Sequence, residues 1–230
     1  MKKEIGFLGG ILLSTLITGT SNATLFDRGG GLIYDDVLDI TWLQDANYAQ
    51  TSGYDSYGYM TWYEATAWAD GLEYYDSVRD ITWDDWRLPM TVDGLSEWGY
   101  DGTTTAGYNI ISSEMGHMYY VNLNNLGYYD TEGNYQPSYG LNNTGTFNKL
   151  LSHYYWSDTE YSFFPLKAWI FDFDDGAQTH GIKDYNAGFA WAVRDGDVSA
   201  PVPEPATMLL VSTGLACLVA CRRKSVRRHG

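Results

Sequence analysis

Apolar positions along this chain follow two rhythms, set apart by polar, glycine-rich stretches. Trp62, Ala65, Trp68, Ala69 and Leu72 recur at three- and four-residue intervals, the spacing of one helix face. Thr61 and Glu64, three apart, form a capping-box pattern at its start, and Gly71 is placed to end it. A second helix is predicted from Ser112 or Ser113, with Met115, Tyr119, Asn122 and Leu126 along one face and Gly127 at the stop; Asn122 leaves that stripe imperfect. Toward the C-terminus the period becomes two. In Lys167–Asp174, Trp169, Phe171 and Phe173 alternate with Ala168, Ile170, Asp172 and Asp174. In Gly188–Arg194, Phe189, Trp191 and Val193 alternate with Ala190, Ala192 and Arg194. Period two predicts half-buried strands, with Asp175-Gly176 as a turn between them. Residues 99–109 and 130–146, rich in Gly, Asn, Thr and Tyr, read as long surface loops. No internal repeat of fixed period is visible. The elements predict an α+β domain over residues 24–196, with two helices, antiparallel strands and long loops.

The two ends follow a different logic. Residues 1–23 begin with Lys2 and Lys3, continue through an apolar run from Ile5 to Ile17, and close on Ser21-Asn22-Ala23. That is the layout of a secretory signal peptide, with signal peptidase expected to cut between Ala23 and Thr24. After a linker at 197–202 come Pro203, Glu204 and Pro205, then an apolar run at 206–221, then a basic tail at 222–228 containing Arg222, Arg223 and Lys224. The run of 16 residues is near the lower limit for a membrane-spanning helix. The basic tail holds its end on the cytoplasmic side, which leaves the domain outside. Pro203 and Pro205 keep the peptide before the run extended and accessible to a processing enzyme.

Charge sharpens this picture. The chain of 230 residues has a formal net charge of -15, with its basic residues concentrated at the ends. Residues 24–202 keep 7 Lys or Arg against 27 Asp or Glu, a net of -20. Such a domain repels nucleic-acid phosphates and anionic headgroups, so nucleic acid is excluded as a partner. The 9 Trp, 20 Tyr and 8 Phe argue against a disordered acidic chain. Both cysteines, Cys217 and Cys221, lie in the C-terminal apolar run, so the domain has no disulfide, thiolate metal site or cysteine nucleophile.

Candidate chemistry is sparse. Carboxylates are too abundant for any pair to mark a glycosidase. Asp172, Asp174 and Asp175 are weak candidates for Ca²⁺, the one cofactor considered, beside a reading as solvated strand-edge acids. His117, His153 and His180 are scattered, with none at metal-ligand spacing. Neither a Gly-x-Ser-x-Gly elbow nor a phosphate-binding loop is present, and no catalytic residue is assigned. Trp42, Trp86, Trp156, Trp169 and Trp191 sit in strand-like segments and are expected in the core. Tyr54, Tyr57, Tyr59, Tyr74, Tyr75, Tyr100, Tyr108, Tyr128, Tyr129, Tyr135 and Tyr139 lie in turn-like sequence, which suits either a recognition surface or loop packing.

Two resemblances follow from these residues. Val202-Pro203-Glu204-Pro205, the apolar run and Arg222-Arg223-Lys224 together resemble a PEP-CTERM sorting signal. It implies processing by an exosortase in a Gram-negative bacterium that makes extracellular polysaccharide. The chain would be exported through the inner membrane, anchored transiently by the C-terminal helix, then placed at the cell surface or released. Asp85-Trp86-Arg87-Leu88-Pro89, Tyr155-Trp156-Ser157 and Ala190-Trp191-Ala192-Val193-Arg194, in that order, resemble the C-terminal domain of a collagen-like bacterial adhesin, grouped with the C-type-lectin-like fold. Met90 and Thr91 depart from that pattern, and the family's cysteines are absent. The implied function is a non-enzymatic binding module for extracellular polysaccharide, biofilm matrix or a surface protein, acting through loops in 99–146. A purely structural acidic matrix protein and a carboxylate-dependent polysaccharide hydrolase stand as alternatives.

Overall fold

The computed structural model describes residues 24–185 and 188–198. The expected signal peptide, the linker past residue 198, the sorting motif, the apolar run at 206–221 and the basic tail lie outside the described residues. Among the described residues no helix is long and apolar enough to cross a membrane.

The elements are β1 (Leu25–Asp27), β2 (Leu32–Asp35), β3 (Ile40–Leu43), α1 (Tyr48–Thr51), β4 (Tyr59–Met60), α2 (Trp62–Asp70), β5 (Tyr74–Asp76), β6 (Ile81–Trp83), β7 (Trp98–Gly99), β8 (Ala106–Gly107), α3 (Glu114–His117), a π turn (Met118–Asn122), β9 (Tyr154–Glu160), β10 (Lys167–Asp172), β11 (Gln178–Ile182), β12 (Gly188–Phe189) and β13 (Val193–Asp195). They form a four-stranded sheet in the order β1-β2-β3-β13, a seven-stranded sheet in the order β4-β12-β9-β10-β11-β8-β7, and the hairpin β5-β6. The domain is sheet-rich α+β. Pairing is mostly antiparallel, but β12–β9 and β7–β8 are parallel, a departure from the all-antiparallel expectation.

Helix α2 begins as its sequence dictates. Glu64 donates its backbone N–H to the Thr61 hydroxyl at 3.3 Å, and Thr61 donates its own N–H to the Glu64 carboxylate at 2.9 Å. The second predicted helix is shorter than expected. Ser113 caps α3 by accepting the Gly116 N–H at 3.1 Å, but after His117 the helix widens into the π turn and stops at Asn122. The cause is Asn122 itself: it donates to buried Asp35 at 2.5 Å instead of continuing an apolar stripe. Leu126 is therefore exposed outside the helix, bridged to Gly140, and Gly127 ends nothing.

The strand expected at 167–174 ends at Asp172. Its turn leads not to residues 188–194 but to β11, which sequence periodicity did not reveal. The stretch Gly188–Arg194 is two short strands, β12 and β13, in different sheets. Nor are these strands half-buried. Alternate residues serve two separate apolar layers: Leu32, Trp156, Ile170, Ala190 and Ala192 pack with Trp62, Trp68 and Trp86. Their neighbours Ile33, Tyr155, Phe171, Trp191 and Val193 pack with Trp42, Tyr119 and Phe173. Period two here separates one core from another rather than core from solvent.

All five tryptophans expected in the core are buried. Four of them anchor their indole N–H groups: Trp156 donates to Met60 O at 2.9 Å, Trp191 to Leu43 O at 2.7 Å, Trp169 to Asp93 Oδ1 at 2.8 Å and Trp86 to Trp83 O at 3.0 Å. The Asp85–Pro89 and Ala190–Arg194 segments meet directly. Arg87 and Val193 exchange both backbone hydrogen bonds at 2.9 Å. The Arg87 guanidinium forks onto Glu114 at 2.8 Å and reaches Asp195 at 2.6 Å, while Arg194 forks onto Asp85 and lies over the Trp83 ring.

The sheet register also places the chain ends. Leu25 pairs with Asp35, Asp35 with Ile40, and Ile40 with Asp195, so β1 starts and β13 finishes at the same end of the four-stranded sheet.

A candidate ligand-binding cleft

An open cleft of about 610 Å³ is lined by Asp55, Tyr57, Tyr59, His153 and Phe189. Three parts of the chain build it. Asp55 organises the first: its Oδ1 accepts the backbone N–H groups of Tyr57 at 2.8 Å, Gly58 at 2.6 Å and Tyr59 at 3.2 Å. Burial by itself would raise the Asp55 pKa, but these N–H groups outweigh it and hold the carboxyl below its ordinary value. Gly58 makes the turn feasible. Its φ is +72°, and a Cβ there would run into the Asn47 side chain, which donates to Tyr57 O at 3.1 Å.

The turn delivers Tyr59 onto β4, directly opposite Phe189 on β12, with ring centroids 5.3 Å apart. His153, just before β9, packs edge-on to both rings, at 5.1 Å from Tyr59 and 5.5 Å from Phe189. Its Nδ1 accepts the Tyr154 N–H at 2.8 Å, which assigns the ring proton to Nε2 in the neutral form. Tyr57 is 73% exposed at the rim. Burial and nearby Tyr185 raise the Tyr59 hydroxyl pKa, so it stays a neutral hydrogen-bonding group.

The segment that carries His153 is bonded to the one that holds the predicted acids. Ser152 donates to Asp174 at 2.8 Å, and the Phe173 N–H donates to His153 O at 3.0 Å. Asp172, Asp174 and Asp175 do share one turn, but the carboxylates of Asp172 and Asp175 serve the turn itself, and that of Asp174 holds Ser152. Asp172 accepts the Asp174 N–H at 2.9 Å, and Asp175 accepts the Ala177 N–H at 2.9 Å and the Tyr108 hydroxyl at 3.1 Å. Among the described residues no group of three or more His, Cys, Asp or Glu is arranged to hold a metal ion. His117 is buried beside Met118, and His180 stacks on Tyr161 at 4.5 Å; neither approaches the cleft lining.

The tyrosines of residues 99–146 form a second aromatic region. Trp98, Tyr108, Tyr100, Tyr129, Tyr128, Tyr135 and Tyr139 link ring to ring at centroid distances of 4.7 to 6.2 Å. Most contacts are edge-on, and Tyr108 is buried with its hydroxyl on Asp175. These rings hold the loops together; Trp98, Tyr100 and Tyr135 are the members that reach well into solvent. A smaller cleft of about 340 Å³, beside Tyr54, Trp68 and Glu73, offers a single exposed ring.

Sequence reasoning grouped Tyr57 and Tyr59 with the loop tyrosines and placed the binding surface in 99–146. It did not single out Asp55 or join His153 and Phe189 to it. The available signal was Asp55-Ser56-Tyr57-Gly58, an aspartate turn ending on glycine between tyrosines.

Against known proteins, no curated protein and no solved structure matched the chain. Residues 201–224 match the PEP-CTERM protein-sorting motif. That motif implies export, a membrane-anchored stage at the C-terminus, and sorting by an exosortase to the surface or the exterior.

Proposed function

We propose that the sorted domain is a non-enzymatic glycan-binding module, with a C-type-lectin-like organisation, that engages extracellular polysaccharide through the cleft at Asp55, Tyr57, Tyr59, His153 and Phe189. The observation that carries this reading is the convergence of four rings with one carboxylate in an open cleft. A pyranose presents an apolar C–H face, which packs on a ring, and hydroxyls, which need acceptors and donors at the edge. Tyr57 and Tyr59, the latter backed by buried Phe189, supply the first, and Asp55, His153 Nε2 and the tyrosine hydroxyls supply the second. Hydrolysis needs two carboxyl groups flanking the scissile bond, whereas Asp55 is the one acid among the described lining residues. The domain's charge of -20 also suits an acidic matrix protein, but a diffuse structural role leaves the shaped aromatic cleft unused.

The test is binding of the full chain, in a non-glycosidic detergent, to a panel of bacterial polysaccharides. Saturable binding that weakens about tenfold in Tyr57→Ala, equivalent to ~1.4 kcal/mol, supports the reading. Non-saturating association that disappears with salt, or binding indifferent to Tyr57→Ala, overturns it in favour of the structural role.

A further inference from the structure

We infer that the saccharide taken by this cleft carries a protonated amine, so that the ligand is an amino-sugar polymer with free ammonium groups. The inference rests on the glycan-binding reading and narrows it to a substrate class. Three observations support it independently of one another.

The first is the pairing of rings with an ionised carboxylate. The faces of Tyr57 and Tyr59 are electron-rich, and a cation set against such faces is attracted to them. Asp55 stands in the same lining. All three of its turn hydrogen bonds go to Oδ1, so none of them occupies Oδ2. Rings and a carboxylate in one cleft form the chemical complement of an ammonium group.

The second is that no Lys or Arg stands among the described lining residues. The domain's seven basic residues are engaged elsewhere. Arg28 pairs with Asp197, Arg79 with Asp76, Arg87 with Glu114 and Asp195, Lys183 with Glu160, and Arg194 with Asp85. Lys149 donates to Thr51 at 2.7 Å, and Lys167 lies 3.4 Å from His180. An acidic sugar would meet a carboxylate with nothing to neutralise it.

The third is the field around the cleft. With 27 acids against 7 basic residues, the domain draws cationic ligands and repels anionic ones before contact. The cleft then discriminates at short range in the same direction.

The experiment compares short oligomers of one length: free glucosamine, N-acetylglucosamine and glucose. Each is titrated into the full chain in non-glycosidic, uncharged detergent, slightly below neutral pH so that the amines are protonated. The expected result is at least tenfold tighter binding of the glucosamine oligomer than of its acetylated form. Asp55→Asn should abolish that preference by removing the charge, while the amide oxygen still accepts the three turn N–H groups and keeps the turn in place. Glu132→Gln, an exposed acid outside the cleft, should keep the preference. If Glu132→Gln reduces it as much as Asp55→Asn does, the attraction is a general field effect and the inference falls. If acetylated and free oligomers bind equally, the amine inference falls and the glycan reading stands. If no oligomer binds saturably, the glycan reading falls with it. Tetramethylammonium serves as the sugar-free cation: saturable binding of that ion without any binding of the glucosamine oligomer overturns the saccharide assignment.

Discussion

Asp172 gives the sharpest test of the energetics of this domain. It closes β10 at 8% exposure, accepting the Asp174 N–H at 2.9 Å. Burial raises its pKa to about 6; the charges of Asp175 and Asp174 add to this, while the Asp174 N–H and the Tyr154 hydroxyl oppose it. An unfolded chain titrates this carboxyl at its ordinary value of 3.8. The folded state therefore holds the proton more tightly than the unfolded state between those two values. Stability falls as pH rises through that window, and the loss persists above it. Two pKa units correspond to at most ~3 kcal/mol, at ~1.4 kcal/mol per unit.

Asp172→Asn removes the charge at every pH and keeps an oxygen for the Asp174 N–H. The Tyr154 hydroxyl can rotate to accept from the new amide. The expected outcome is a gain of about 1–3 kcal/mol near pH 8 that vanishes near pH 4, where the wild-type carboxyl is already protonated in the fold. In thermal unfolding the gain should appear as about 2–4 °C per kcal/mol for a domain of this size. A variant less stable than wild type near pH 8 would show that the carboxylate's contacts outweigh its burial. An equal gain at both pH values would show that ionisation is not the cause.

Four further outcomes follow from the same structure. Glu114→Ala leaves the Arg87 fork half-paired and the Met90 N–H without its 2.7 Å acceptor, so it should cost about 3 kcal/mol in denaturant unfolding; a cost below ~1 kcal/mol would mean water replaces the carboxylate. Thr61→Ala removes one half of the α2 capping box and should cost about 1 kcal/mol, read from the same unfolding curves. Gly58→Ala forces a side chain into a left-handed backbone against Asn47; it should destabilise the domain by about 1–3 kcal/mol and weaken glycan binding together, because it displaces Asp55. Intact-mass analysis of the secreted protein should show a chain starting at Thr24 and ending near Pro203–Pro205, and Glu204→Ala should instead give membrane-bound chains whose mass extends to Gly230.

What was legible in the sequence was whatever depended on local signals. The α2 capping box needs only Thr61, Glu64 and the stripe behind them, and it formed as read. The tryptophans gave the core, and the two motif segments at 85–89 and 190–194 turned out to be bonded partners through Arg87 and Val193. What depended on tertiary context was misread. Alternation in β10 predicts core against solvent, because one chain cannot reveal a second apolar layer on the other face. The stretch 188–194 reads as one strand because nothing local shows that Phe189 joins one sheet and Val193 another. The helix at 113 was extended to Gly127 because the pull of Asp35 on Asn122 acts across 87 residues of sequence. The cleft was missed for the same reason, since its lining comes from residues 55–59, 153 and 189.

The position of the chain ends relative to the cleft bears on how the protein operates. Thr24 and Asp195 leave from one end of the four-stranded sheet, and Arg28 clamps Asp197 there with two hydrogen bonds of 2.8 and 2.7 Å. Val198 is packed into the core, and Pro203 follows five residues later, a reach of at most ~18 Å for extended chain. The folded domain is thus held close to its sorting motif by the end that carries both termini. Phe189 lies six residues before Asp195, beyond the Leu43–Ala192 hydrogen bond that marks the opposite end of that sheet, up to ~20 Å away along the chain. The described lining of the cleft draws on none of β1, β2, β3 and β13, the strands at which the chain ends meet. Because removal of the tail acts beyond those strands and the described lining, Asp55, Tyr57, Tyr59, His153 and Phe189, lies outside them, the anchored and processed forms should present the same binding surface. Processing would then change where the ligand is held, not whether it is bound.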